Sequence, residues 1–243
     1  MRMHPMDTQI FDARLTSLAR RAGLLLIASM LCACTMKTQV GLERRSSFGP
    51  PPADNPEPLQ KGPQAIAATL AKGGYVIYLR HGRTQYDQID LERSNRDNGT
   101  LDLARCETQR QLSDDGRREM KQAGEQFRLA NIPLDKSFSS RYCRARESAA
   151  FFVDAAQATE MLSGEAEVGK DPAQKARTVA FFSQRPADGK NIFMMAHGGI
   201  FWEATGFVIP EGNAVVLDPK NLKVIVARIN AHEWGAVAQA NQR

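Results

Sequence analysis

Tyr75-Val76-Ile77-Tyr78-Leu79-Arg80-His81-Gly82-Arg83-Thr84 joins five uninterrupted β-prone residues to a group of cations around a histidine. A strand with one wet face alternates apolar and polar residues, whereas a continuous apolar run is expected of a strand covered on both faces of a parallel sheet. Asn191 to Ala196 repeats the arrangement and runs into His197-Gly198-Gly199. Between and around these strands lie helical segments. One covers Ala65 to Ala71 and stops at Gly73-Gly74. The next is capped by Ser113, has Asp114 and Asp115 in its first turn and Met120, Ala123 and Phe127 on one face, and stops before Ile132-Pro133. Two more cover Tyr142 to Gln157 and the stretch from Asp171-Pro172 onward. Lys136 to Ser139 reads as a short strand. Val215 to Leu217 and Val224 to Ile229 read as late strands paired antiparallel around Asp218-Pro219-Lys220-Asn221. The alternation predicts an α/β fold with a single open, mainly parallel sheet flanked by helices on both faces. Ligands in such sheets bind beyond the carboxyl ends of strands, where His81 and His197 sit.

The chain has 243 residues, 42% hydrophobic and 24% charged, an ordinary globular composition. The net charge is +5, and omitting residues 1–33 reduces it to +3. The cations are scattered among acids without interleaved aromatics, which argues against a nucleic-acid partner. Arg20-Arg21 precede the ten-residue, largely apolar run Ala22 to Leu31, too short to cross a bilayer of roughly 30 Å and suited to a signal peptide. Leu31-Cys32-Ala33-Cys34 resembles a bacterial lipobox, which implies a signal peptide over 1–33 and lipidation of Cys34. Thr35 in place of Asp after that cysteine implies the outer membrane, by analogy with lipoprotein sorting in enteric bacteria. The membrane contact expected is through the lipid anchor only, with a periplasmic location. Residues 34–60, rich in proline at 50–52, 56 and 58, read as a spacer, and residues 61–243 as the globular domain.

Of three histidines beyond residue 33, two hold equivalent strand ends, each followed by a glycine that lets backbone approach a ligand. Between them lies Ser139-Ser140-Arg141-Tyr142-Cys143-Arg144-Ala145-Arg146-Glu147-Ser148-Ala149. Arg-His-Gly after a first strand, Ser-Ser-x-x-x-Arg-Ala-x-x-Ser-Ala before a helix and a late His-Gly together resemble the histidine phosphatase superfamily. The likeness covers about Tyr75 to Trp234, and points to a subgroup of small exported members.

The resemblance implies a metal-independent, cofactor-free phosphomonoesterase acting on a small phosphorylated substrate through a phosphohistidine. Arg80 and Arg144 match phosphate oxygens with forked hydrogen bonds. His81 is the implied nucleophile, and His197 the partner to charge developing on the phosphoryl group. Arg83, Thr84 and Gly198 are expected to touch substrate. Arg141, where many members have proline, is expected at the rim, and the loop 86–110 is expected to shape substrate choice. The chain departs from the family in its proton donor. Gly198 follows the second histidine where one branch has Asp. Glu165, Glu167 and Asp171 lie in the region of the other branch's Glu, without its surrounding pattern. Glu211 in Ile209-Pro210-Glu211-Gly212-Asn213 is the preferred candidate.

Cys106 and Cys143 also fit the exported subgroup, which implies a disulfide pinning the long loop beside Arg144, with free thiols as the alternative. Exported relatives include enzymes that act on phosphorylated sugars of lipopolysaccharide, so an envelope glycan phosphate is the implied substrate class. The competing reading is a catalytically weak envelope lipoprotein that binds phosphate ligands. Two histidines as well as two arginines favour the enzyme.

Overall fold

The computed structural model describes residues 55–85, 87, 88, 90, 103–164 and 172–242. The signal segment, Cys34 and the spacer up to residue 54 lie outside these, as do Glu165, Glu167, Asp171 and most of the loop 86–102.

Six strands form one sheet: β1 (Val76–Arg80), β2 (Leu134–Ser140), β3 (Gln157–Thr159), β4 (Asn191–Ala196), β5 (Ala214–Asp218) and β6 (Asn221–Ile229), in the order β3-β2-β4-β1-β5-β6. The first four in that order run parallel, and β5 and β6 close the edge antiparallel. The sheet is therefore mainly parallel, as the apolar runs predict. Helices α1 (Pro63–Lys72), α2 (Asp114–Leu129), α3 (Cys143–Phe152), α4 (Pro172–Phe182), α5 (Gly198–Thr205) and α6 (Trp234–Asn241) cover its faces.

The period of two along β1 explains the continuous run. Ile77 and Leu79 enter one core with Phe193, Met195, Phe127, Phe152 and Trp234, under α1, α2, α3 and α6. Val76 and Tyr78 enter the other with Ile192, Met194, Phe182 and Phe201, under α4 and α5. Every one of these β1 and β4 residues is buried because each faces a helical layer. The cap of α2 forms as its sequence requires, the Ser113 hydroxyl accepting from the Gly116 N–H at 3.0 Å.

Three features depart from the sequence reading. The helix expected to reach Gln157 ends at Phe152, and Val153 is extended. Helix propensity in Asp154-Ala155-Ala156 loses to pairing at the sheet edge, where Phe138 opposes Gln157. The C-terminal helix α6 was not anticipated from its short pattern; buried Trp234 seats it edge-on against Phe127 at 5.0 Å. Residues 55–60, assigned to the spacer, are tied to the domain. Leu59 and Gln60 donate their N–H groups to the carbonyls of Ile225 and Val226 at 3.0 and 2.7 Å, and Arg228 donates to the Pro56 carbonyl at 2.7 Å. These bonds cover the open edge of β6.

Candidate active site

The register of β1 on β4 places Arg80 opposite Ala196, so His81 and His197 are the next residues on neighbouring parallel strands. Their ring centroids lie 5.2 Å apart. The His81 N–H donates to the Ala196 carbonyl at 3.0 Å, which locks the two strand ends together. Beneath them, the buried Tyr78 hydroxyl donates to the His197 carbonyl at 2.7 Å.

His81 is 2% exposed. Its Nδ1 lies 2.8 Å from the carbonyl of Gly82. A carbonyl only accepts, so Nδ1 carries the proton and Nε2 keeps its lone pair. Burial, then the charges of Arg144 and Arg80, hold the His81 pKa well below the usual imidazole range. Burial first, then Arg144, His81 and Arg80, do the same to His197. Both rings are neutral at neutral pH, the state a nitrogen nucleophile needs. His197 Nε2 lies 2.8 Å from the Ser140 hydroxyl at the end of β2, and its ring meets Tyr142 edge-on at 4.9 Å.

The arginines are held from different elements. Arg80 Nη1 donates to the Ile209 carbonyl at 3.0 Å and Nη2 to Glu211 Oε1 at 3.1 Å. Burial is the largest influence on Arg80 and lowers its pKa; the Glu211 carboxylate opposes it. Arg144, 6% exposed in the first turn of α3, lies with its guanidinium carbon 4.4 Å from the centre of the Tyr142 ring. Its Nη1 and Nη2 grip Asp90 at 2.9 and 3.3 Å. The Ser148 hydroxyl joins the first two motifs, donating to the Arg144 carbonyl at 2.7 Å and accepting from the Gly82 N–H at 3.1 Å.

Among the remaining residues singled out in the sequence, Thr84 donates through Oγ1 and N–H to Glu211, at 3.2 and 3.3 Å. Glu211 therefore sits between Arg80 and Thr84. Arg83 is half exposed and pairs with Glu119 on α2 at 3.0 Å. Arg141 pairs with Glu160 at 2.7 Å at the surface. The glycines have packing tasks: a Cβ on Gly82 would lie 2.5 Å from Met120 Cγ, and one on Gly198 would lie 3.1 Å from Arg80 Nη1. Gly198 thus gives the guanidinium its space.

Cys106 and Cys143 form a disulfide, with Cα atoms 5.6 Å apart. Buried Gln109 reinforces it by accepting from the Cys143 N–H at 2.8 Å. The bridge brings Arg110 to the site, where its Nη2 stands 3.8 Å from Glu211 Oε1. Arg110 and Asp90 are the site residues that sequence reasoning missed. Arg110 was within reach of the pairing of Cys106 with Cys143, whereas Asp90 is one acid among several in its loop. Among the described residues no three His, Cys, Asp or Glu side chains cluster so as to hold a metal ion.

Residues 76–168 match the family model described as histidine phosphatase superfamily (branch 1). This segment belongs to the histidine phosphatase superfamily. His197 lies beyond the matched residues of the histidine phosphatase segment, and the sheet register attaches it to the site. No curated protein matches the sequence. Among solved structures, the chain is similar to TTHB049 from Thermus thermophilus, at 20% identity and a TM-score of 0.42 over 64% of this chain and 98% of that one. A phosphoglycerate mutase from the same organism aligns at 19% identity and 0.38, over 64% and 98%. The protein histidine phosphatase SixA complexed with tungstate aligns at 14% and 0.44, over 65% and 98%.

Proposed function

We propose that the domain is a phosphomonoesterase working through a phosphohistidine at His81. The observation that carries this reading is the placement of a neutral imidazole, protonated on Nδ1 so that Nε2 keeps its lone pair, beside His197 and under the charges of Arg144 and Arg80. In the first step the Nε2 lone pair of His81 forms a bond to phosphorus as the bond to the ester oxygen breaks. The departing alkoxide takes a proton, with Glu211 as the proposed donor. Arg80 and Arg144 hold the non-bridging oxygens, and His197 donates to the charge that builds on them. Water then attacks phosphorus while passing a proton to the Glu211 carboxylate, the nitrogen–phosphorus bond breaks, and orthophosphate leaves with His81 neutral and Glu211 protonated again.

Turnover of p-nitrophenyl phosphate in excess EDTA tests the reading. Activity in the parent and none in folded His81→Ala is the expected outcome. Activity that survives in His81→Ala would place the chemistry elsewhere.

The location is also a proposal: residues 1–33 address the chain for export, Cys34 is lipidated, and the domain works in the periplasm from the outer membrane. Such an enzyme meets envelope esters, so a glycan phosphate is the proposed substrate class. Globomycin is expected to make an unprocessed precursor accumulate; normal processing in its presence would remove the anchor from the proposal.

A further inference from the structure

The fork of Arg144 is occupied from within the chain. Nη1 donates to Asp90 Oδ1 at 2.9 Å and Nη2 to Oδ2 at 3.3 Å. Only 7% of the Arg144 side chain and 14% of the Asp90 side chain are exposed. The backbone N–H of Arg110 donates to the same Oδ1 at 2.9 Å. Three donors from two segments thus converge on one anionic group, and one of those segments is the one the Cys106–Cys143 bridge holds in place. A planar guanidinium fork accepts carboxylate and phosphate oxygens alike. Tyr142 lies against both Arg144, at 4.4 Å, and His197, at 4.9 Å, and His197 lies beside His81, so the cation that Asp90 neutralises belongs to the site of the proposed nucleophile.

We infer that Asp90 is an internal stand-in for the substrate phosphate, filling the cradle of Arg144 and Arg110 in the free protein and giving way to a phosphomonoester. This rests on the phosphatase reading. A buried guanidinium left without an anion is strongly disfavoured, so a site that stands empty between turnovers needs a counter-ion. Asp90 supplies it, and the exchange it imposes is selective. A monoester dianion brings two charges and three terminal oxygens, enough to replace both bonds of Asp90 and to engage Arg80 as well. A diester brings one charge and two terminal oxygens, and can only match what it displaces. Asp90 also competes with product, which favours release of orthophosphate. It is therefore a specificity-determining residue for monoesters.

The test is calorimetric titration of inorganic orthophosphate into the full chain in detergent, and into Asp90→Ala and Asp90→Asn chains. Asp90→Asn keeps an acceptor for Arg144 and Arg110, so the fold is guarded while the competing charge is lost. Removing that competitor is expected to tighten orthophosphate binding about tenfold in both variants. The KM for p-nitrophenyl phosphate is expected to fall with it. Equal or weaker phosphate binding in both variants overturns the inference and leaves Asp90 a positioning partner of Arg144. Persisting turnover by the parent would show that the phosphatase reading survives that result. Failure of all three chains to bind phosphate overturns the inference too, and absent turnover by the parent would take the phosphatase reading with it.

Discussion

Glu211 accepts from Arg80 Nη2 and Thr84 Oγ1 on one oxygen and from the Thr84 N–H on the other. The same carboxyl can orient Arg80 and pass a proton to a leaving group, and kinetics separates these tasks. Glu211→Gln keeps an acceptor for Arg80 but has no proton to transfer. Alkyl phosphates, whose alkoxides leave poorly, are expected to slow by about a hundredfold or more in this variant, while p-nitrophenyl phosphate slows far less. Equal slowing of both would leave Glu211 as an orienting group alone. The four candidate residues His81, His197, Arg80 and Arg144 could be picked out of the sequence because three of them stand at or just beyond strand ends and the fourth opens a helix, all of types suited to phosphate. Asp90 was not, because nothing local distinguishes an acid that meets Arg144 from one that meets water.

At the scale of elements, the Cys106–Cys143 bridge fastens a 3₁₀ turn over Cys106–Thr108 to the start of α3. The chain between the two cysteines spans a sequence separation of 37, and closing such a loop stabilises by about 4 kcal/mol in the chain-entropy account. A Cys106→Ser, Cys143→Ser double variant is expected to melt on the order of 10 °C lower. Its affinity for orthophosphate is expected to fall as well, since the Arg110 N–H is presented by the bridged segment; calorimetry beside the melting curve checks both. An unchanged melting temperature would mean that Gln109, through its bond to the Cys143 N–H, holds the segment unaided. The elements built from strong local patterns, β1, β4 and the capped α2, fall where the sequence puts them. β3 and the end of α3 do not, because pairing across the sheet outweighs the local preference of four or five residues.

For the whole molecule, two neutral histidines, His81 buried and His197 partly buried, make stability depend on pH. Unfolded imidazoles protonate near 6.5, whereas burial and the neighbouring arginines depress both values well below that in the fold. Below the unfolded value the unfolded chain binds protons that the folded chain does not. Their contribution to stability is thus complete above that pH, and is lost as pH falls from there toward the depressed values. Each histidine adds a slope of up to about 1.4 kcal/mol per pH unit in that window. Denaturant unfolding of the parent and of His81→Ala across mildly acid pH measures it. The variant is expected to show the shallower slope; identical slopes would mean that His81 keeps an ordinary pKa in the fold.

The sequence alone determined the layered α/β architecture, since runs of apolar residues without alternation can be buried only between two helical layers. It also singled out the candidate reacting groups, since two histidines and an arginine at strand ends, with a second arginine opening a helix, are hard to account for by packing. Tertiary structure alone decided what those groups meet. The register of β1 on β4 sets the two imidazoles side by side, the disulfide delivers Arg110, and Asp90 closes on Arg144 across a sequence separation of 54. These are contacts between residues distant in the chain, chosen by burial and charge, and no local pattern encodes them.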